Sequence, residues 1–170
     1  MISVIIDGAC GRMGKMITQG MVGQHDMQLV GAVEYAGHPQ IGRDVGEVAG
    51  VDALGISVGD DLLAILDQAE VVIEFTSPSA TIEHLRNVVE ADKTIILATT
   101  GYTADELAEI DELAAKVPCV MAPNMSVGVN VMLQAIQVVA KALGDDYDVE
   151  IIEAHHNHKA DSPSGTAVRI

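Results

Sequence analysis

The stretch "VIIDGACGRMGKMI" (residues 4–17) decides how the rest of this chain is read. "SVIID" (3–7), β-branched at its centre, reads as a buried strand. Gly8, Gly11 and Gly14 follow at three-residue spacing, at the head of a helical stretch from Arg12 to about Val22. A turn without side chains lets a diphosphate approach backbone N–H groups, and the start of a helix adds partial positive charge. The next strand, "MQLVGAV" (27–33), ends at Glu34, twenty residues after Gly14, where a carboxylate accepts hydrogen bonds from ribose hydroxyls. The absence of a G-K-[ST] ending excludes a P-loop. A tight turn serving only helix–strand packing would also use these glycines, as would a site for a nucleotide without nicotinamide.

Outward from this motif, short apolar runs alternate with helical stretches, the pattern of a parallel sheet flanked by helices. "GISV" (55–58), "VVIEF" (71–75), "TIILAT" (94–99) and "CVMAP" (119–123) read as further strands. "DDLLAILDQA" (60–69) reads as a short helix capped by Asp60 or Asp61, and Ser79 is expected to cap the helix after "VVIEF". Thr103 and Glu106 form a T-x-x-E capping pattern for a helix over 103–116. "YAGHPQIGRDVGEVAG" (35–50) reads as a long loop. Three loops, "FTSPSAT" (75–81), "ATTGY" (98–102) and "APNMS" (122–126), follow strands and would outline a crevice beyond their carboxyl ends. From Ser126 a long apolar helix runs to Gly144, and "YDVEIIEAHH" (147–156) reads as a strand opening a new unit. The expected fold is α/β: a Rossmann-type doubly wound parallel sheet over residues 1–126, then the start of an α+β substrate domain over 127–170, truncated at Ile170.

Composition narrows the partners. With one Phe, three Tyr and no Trp, the core must be aliphatic. A formal charge of −16 argues against nucleic acid, whose binding draws on Lys and Arg displacing counterions. Cys10 and Cys119 lie far apart without metal-ligand spacing and read as free thiols in a reducing compartment. No signal segment precedes the first strand, and no apolar run approaches the ~20 residues of a membrane span, so a cytoplasmic protein is expected.

"IIEAHHNHKADSPSGTA" (151–167) carries the second cluster. On an extended strand His155, Asn157 and Lys159 would share one face, and His156 and His158 the other. That alternation splits the histidines, so a zinc site is not expected. Anion binding with proton transfer suits the residues better: lysine and histidine supply charge and protons, and the Ser-Gly-Thr turn supplies N–H and hydroxyl groups.

"EAHHNHKADSPSGTA", together with "GACGRMG", "FTSPSAT", "ATTGY" and "APNMSVGVNVM", resembles the 4-hydroxy-tetrahydrodipicolinate reductase (dihydrodipicolinate reductase) family over nearly the whole chain. The resemblance implies NAD(P)H-dependent reduction of 4-hydroxy-tetrahydrodipicolinate to tetrahydrodipicolinate in diaminopimelate and lysine biosynthesis. It implies His155 and Lys159 as the catalytic pair, with His156, Gly165 and Thr166 holding the carboxylates of a small dicarboxylate substrate. On the cofactor side it implies Gly8, Ala9, Cys10, Gly11, Arg12 and Met13 at the diphosphate, and Glu34 at the ribose. Ala98, Thr99, Thr100, Ala122, Pro123, Asn124 and Met125 would lie along the nicotinamide half. Many relatives carry arginine after the ribose acid where this chain has Tyr35, which favours NADH over NADPH. The resemblance implies a homotetramer built through a longer substrate-domain sheet, which leaves the assembly of this short chain open. The competing reading is a nucleotide-binding or interaction module that keeps the catalytic string as a relic.

Overall fold

The computed structural model describes residues 1–157 and 162–170, which form two compact units, Met1–Met121 and Ala122–Ile170. The first contains β1 (Ile2–Asp7), α1 (Arg12–Met21), β2 (Met27–Val33), α2 (Val45–Ala49), β3 (Val58–Gly59), β4 (Val71–Glu74), α3 (Pro78–Glu90), β5 (Thr94–Leu97), α4 (Ala104–Ala114) and β6 (Cys119–Met121). All strand pairs are parallel, in the order β3-β2-β1-β4-β5-β6. This is the expected Rossmann-type doubly wound sheet. Strand order reverses between β1 and β4, so a crevice opens beyond their last residues, Asp7 and Glu74, which are register partners.

Both sheet faces are covered, and β1 illustrates how. Ile5 joins Leu66, Val72, Leu85, Ile95, Leu97 and Ile110 in one fully aliphatic cluster. Its neighbour Ile6 joins Ala9, Leu29, Ala32, Val45 and Val58 on the opposite side. A strand buried on both faces is a continuous apolar run rather than an alternating one, which is why "VIID" reads as it does.

The glycine motif works through close approach. Gly8 has φ +80, and a Cβ there would overlap the Phe75 carbonyl oxygen. A Cβ on Gly14 would overlap the Gly8 carbonyl oxygen and lie 2.7 Å from Ala9 Cα, so α1 rests directly on the turn it follows. Gly11 is less constrained, its nearest neighbour being Gly8 O at 3.2 Å.

Several local expectations are corrected. Residues 60–69 form turns and a single 3-10 turn, Leu66–Gln68, instead of an α-helix, although Asp61 does accept the Ala64 N–H at 3.1 Å. So short a segment cannot repay helix nucleation, and burial of Leu62, Leu66 and Ala69 shapes it instead. Ser77, not Ser79, is the N-cap of α3, with Pro78 in the first turn. The loop at 35–50 contains α2, organised by Asp44, whose Oδ1 accepts from Gly46, Glu47 and Leu54 N–H and whose Oδ2 accepts from Gly55 and Ile56 N–H. Those bonds hold the Asp44 carboxyl below its ordinary range. The Thr103–Glu106 capping box forms as read.

The second unit contains α5 (Val127–Leu143) and α6 (Gly165–Arg169). Gly144 at φ +67 ends α5, and no residue of that helix is buried. By length and composition Val127–Asp146 is long and apolar enough to cross a membrane, which corrects the expectation that no run approaches that size. Asn130, Gln134, Gln137 and Lys141 nevertheless recur every three or four residues, the polar stripe of a helix that packs on one side. The strand expected over 147–156 is not formed, for no strand pairs with it among the described residues. An unpaired apolar segment has no ladder to hold it extended, and Ile152 is 93% exposed.

Gly14→Ala is expected to cost about 1–3 kcal/mol by overpacking, whereas Gly11→Ala should cost clearly less. Urea unfolding of the two variants beside wild type checks the order, and equal losses would overturn the account of the motif.

Candidate functional site

The turn after β1 is anchored to its neighbour: Gly8 and Ala9 N–H both donate to Val33 O at 2.9 and 3.0 Å, and Gly11 N–H donates to Gly8 O at 3.1 Å. α1 then starts at Arg12 with Gly11 as N-cap and no side-chain capping bond, so its first N–H groups remain available to an anion. Glu34 Oε2 accepts the Cys10 N–H and Oε1 accepts the Tyr35 N–H, each at 3.1 Å, which fixes the carboxylate beside the turn. A cleft of about 440 Å³ opens here, lined by Gly8, Gly11, Glu34, Tyr35, Thr76 and His84 among others. A bare turn, an uncapped helix start and a fixed carboxylate fit a dinucleotide.

Cys10, Glu34 and His38 bring one potential metal-ligand atom each within 4.8 Å of one another. Two of the three are already engaged, since Glu34 holds two backbone N–H groups and His38 Nδ1 accepts the Gln40 N–H at 3.2 Å. Burial, aided by the Glu34 charge, also pushes the Cys10 thiol up, away from the thiolate a metal requires. Tyr35, which follows Glu34, meets His38 edge to face at 5.0 Å.

The crevice floor holds a feature that motif reading passed over. Glu74 is fully buried, and its Oε1 accepts the Thr76 N–H at 2.8 Å and the hydroxyls of Thr81 and Thr99 at 2.9 Å, with the Thr76 hydroxyl also bonded to it. One carboxyl oxygen thus ties "FTSPSAT" to "ATTGY". Thr99 further accepts the Thr76 N–H at 2.9 Å, so its hydroxyl serves the loops, while Ala98 is half-buried and Thr100 exposed. Asp7, 1% exposed, lies beside Glu74, and His84 of α3 places Nδ1 2.5 Å from Asp7 Oδ2. The available signal was an acid closing each of two buried strands, a position where charge is rare without a partner.

In the second unit one carboxylate organises the other cluster. Glu153 Oε2 lies 3.1 Å from His155 Nδ1, and its Oε1 accepts the Ser164 N–H at 2.7 Å. Ser164 Oγ in turn accepts the Ala167 N–H at 3.1 Å, capping α6. Thr166 Oγ1 accepts from Asn124 Nδ2 at 3.1 Å, and a Cβ on Gly165 would come within 2.8 Å of Pro123. Segments expected to touch different ligands, Ala122–Met125 and Gly165–Thr166, are therefore packed together. His156 is exposed. Lys159, and with it the expected pairing with His155, lies outside the described residues.

Burial raises the Glu74 carboxyl above its ordinary 4.5, against the lowering effect of the threonine bonds. The folded chain then holds this proton more tightly than the unfolded one, so stability declines as pH climbs from 4.5 through the folded value. Glu74→Gln keeps an acceptor oxygen and cannot ionise. Its stability relative to wild type should rise from acidic pH toward neutrality, measured as melting temperatures, and a constant difference would rule out titration of Glu74 in that range.

Comparison with known proteins agrees with this geometry. Residues 2–125 match the family model described as dihydrodipicolinate reductase, N-terminus, and residues 128–170 match that of its C-terminus. Proteins named 4-hydroxy-tetrahydrodipicolinate reductase from Anaeromyxobacter dehalogenans and Trichlorobacter lovleyi are each 48% identical over all 170 residues, which span 63% and 64% of their own lengths. A dipicolinate-bound dihydrodipicolinate reductase from Paenisporosarcina sp. TG-14 superposes with a TM-score of 0.74 at 29% identity, over 99% of this chain and 63% of that one. Glycine turn, sheet order, histidine string and both family matches converge: the chain belongs to the dihydrodipicolinate reductase family.

Proposed function

We propose that residues 1–126 bind NADH or NADPH, that residues 127–170 contribute to a substrate domain, and that the protein reduces 4-hydroxy-tetrahydrodipicolinate to tetrahydrodipicolinate. The observation that carries this reading is the E-x-H-H-x-x-K-x-D-x-P-S-G-T string, in which Glu153 holds both His155 and the Ser164 N–H. The names of the relatives and the dipicolinate in the Paenisporosarcina structure support a small cyclic dicarboxylate as substrate.

The turn Gly8–Met13 would hold the diphosphate and Glu34 the ribose hydroxyls. When bound, the cofactor supplies the hydride. Glu153, 3.1 Å from His155 Nδ1, orients the ring. Because Thr166 Oγ1 accepts from Asn124, its own O–H proton remains to bind a substrate carboxylate, with the Gly165 N–H beside it. Lys159 is assigned the proton that accompanies hydride addition, with His155 as its partner. Free Cys10 and Cys119 accord with a reducing cytoplasm.

The test is NADH consumption with enzymatically generated substrate. Lys159→Ala should lower kcat roughly 10²- to 10⁴-fold, the usual range for loss of a general acid, while leaving the NADH dissociation constant near wild type. NADH binding without turnover by wild type would favour the binding-module reading instead.

Tyr35 leaves the position after the ribose acid without positive charge, so NADH should bind more tightly than NADPH. Tyr35→Arg is expected to strengthen NADPH binding by about tenfold, one good charge-assisted contact or ~1.4 kcal/mol. Fluorescence titration of both cofactors checks this, and an unchanged NADPH affinity would refute it.

A further inference from the structure

The cleft beside the glycine turn is short of positive charge. Its lining includes the carboxyls of Asp7, Glu34 and Asp60, and among the described lining residues His84 alone can become a cation. His84 is held there from two sides. Its ring sits on α3 one turn after Thr81, which Glu74 anchors, and its Nδ1 lies 2.5 Å from the buried Asp7 carboxylate at the end of β1. Asp7 directly precedes Gly8, so the histidine is coupled to the turn expected to carry the diphosphate.

We infer that the Asp7–His84 pair is the charge-balancing and positioning element of this cleft. The His84 imidazolium ties α3 to the end of β1 and offsets the acids that a dinucleotide's diphosphate must approach, which makes cofactor binding depend on pH. This rests on the cleft being the dinucleotide site proposed above.

The electrostatic surroundings favour the charged ring. Burial works against imidazolium, but the contact with Asp7 and the negative charges of Asp7 on β1, Glu74 on β4 and Glu83 on α3 outweigh it, raising His84 above the ordinary 6.5. The cation is therefore present below the folded value and lost as pH rises through it. Affinity for an anionic ligand should fall over the same interval. By linkage, a ligand that prefers the imidazolium must itself raise the His84 titration midpoint.

The experiment follows the His84 ring resonances by NMR against pH, with and without saturating NADH, beside NADH dissociation constants over the same range. NADH should bind roughly fivefold more tightly below the His84 midpoint than above it, the lower end of typical coupling, and should move that midpoint upward. His84→Gln should abolish the pH dependence of NADH affinity, and Asp7→Asn should lower the midpoint. If either variant fails to fold, the titration of the unaltered chain still decides. A midpoint unmoved by NADH, or a wild-type pH profile in His84→Gln, overturns the inference alone. Absence of NADH binding at every pH removes the dinucleotide reading and this inference with it.

Discussion

Gly8 sits where the chain has no room for a side chain: a Cβ there would run into the Phe75 carbonyl, and one on Gly14 would run into Gly8 itself. The end of β1, the exit of β4 and the start of α1 meet at this point. Because they meet without intervening side chains, α1 begins directly on the turn, with no side-chain cap on its first N–H groups. The Gly8 and Ala9 N–H groups share the Val33 carbonyl, which locks the same turn to β2 and so to Glu34. The close seating of α1 on the turn and the position of Glu34 beside it go with that contact.

The crevice floor is built on a different principle, charge enclosed by hydroxyls. Glu74 is fully buried yet gathers Thr76, Thr81 and Thr99 on one oxygen. A buried acid carries a desolvation cost that hydrogen bonds only partly offset, and the raised Glu74 carboxyl reflects it. In exchange two loops and the first turn of α3 are tethered to one atom. Rigid loops lose less entropy when a ligand binds between them.

In the second unit the exposed Glu153 joins His155 to the Ser-Gly-Thr turn. The surrounding framework differs, because no residue of α5 is fully buried and residues 147–156 make no strand. Local sequence can specify a histidine, a cap and a helix stop, since each needs only neighbours a few residues away. A strand requires a partner.

The glycine turn, the alternation of strands and helices, the Thr103–Glu106 cap and the family membership were legible because each is a pattern over adjacent residues. The specific string at 153–166 is legible in the same way, as residue types at fixed spacing. What tertiary structure alone decided are the meetings across distance: Asp7 with His84, 77 residues apart, and Glu74 with Thr99, 25 apart. It also replaced the 60–69 helix with turns, because burial of Leu62 and Leu66 outweighed a weak helical preference. Sequence determined which groups are present and their local geometry. Folding determined which of them share a low-dielectric floor, where proximity rather than residue type sets charge.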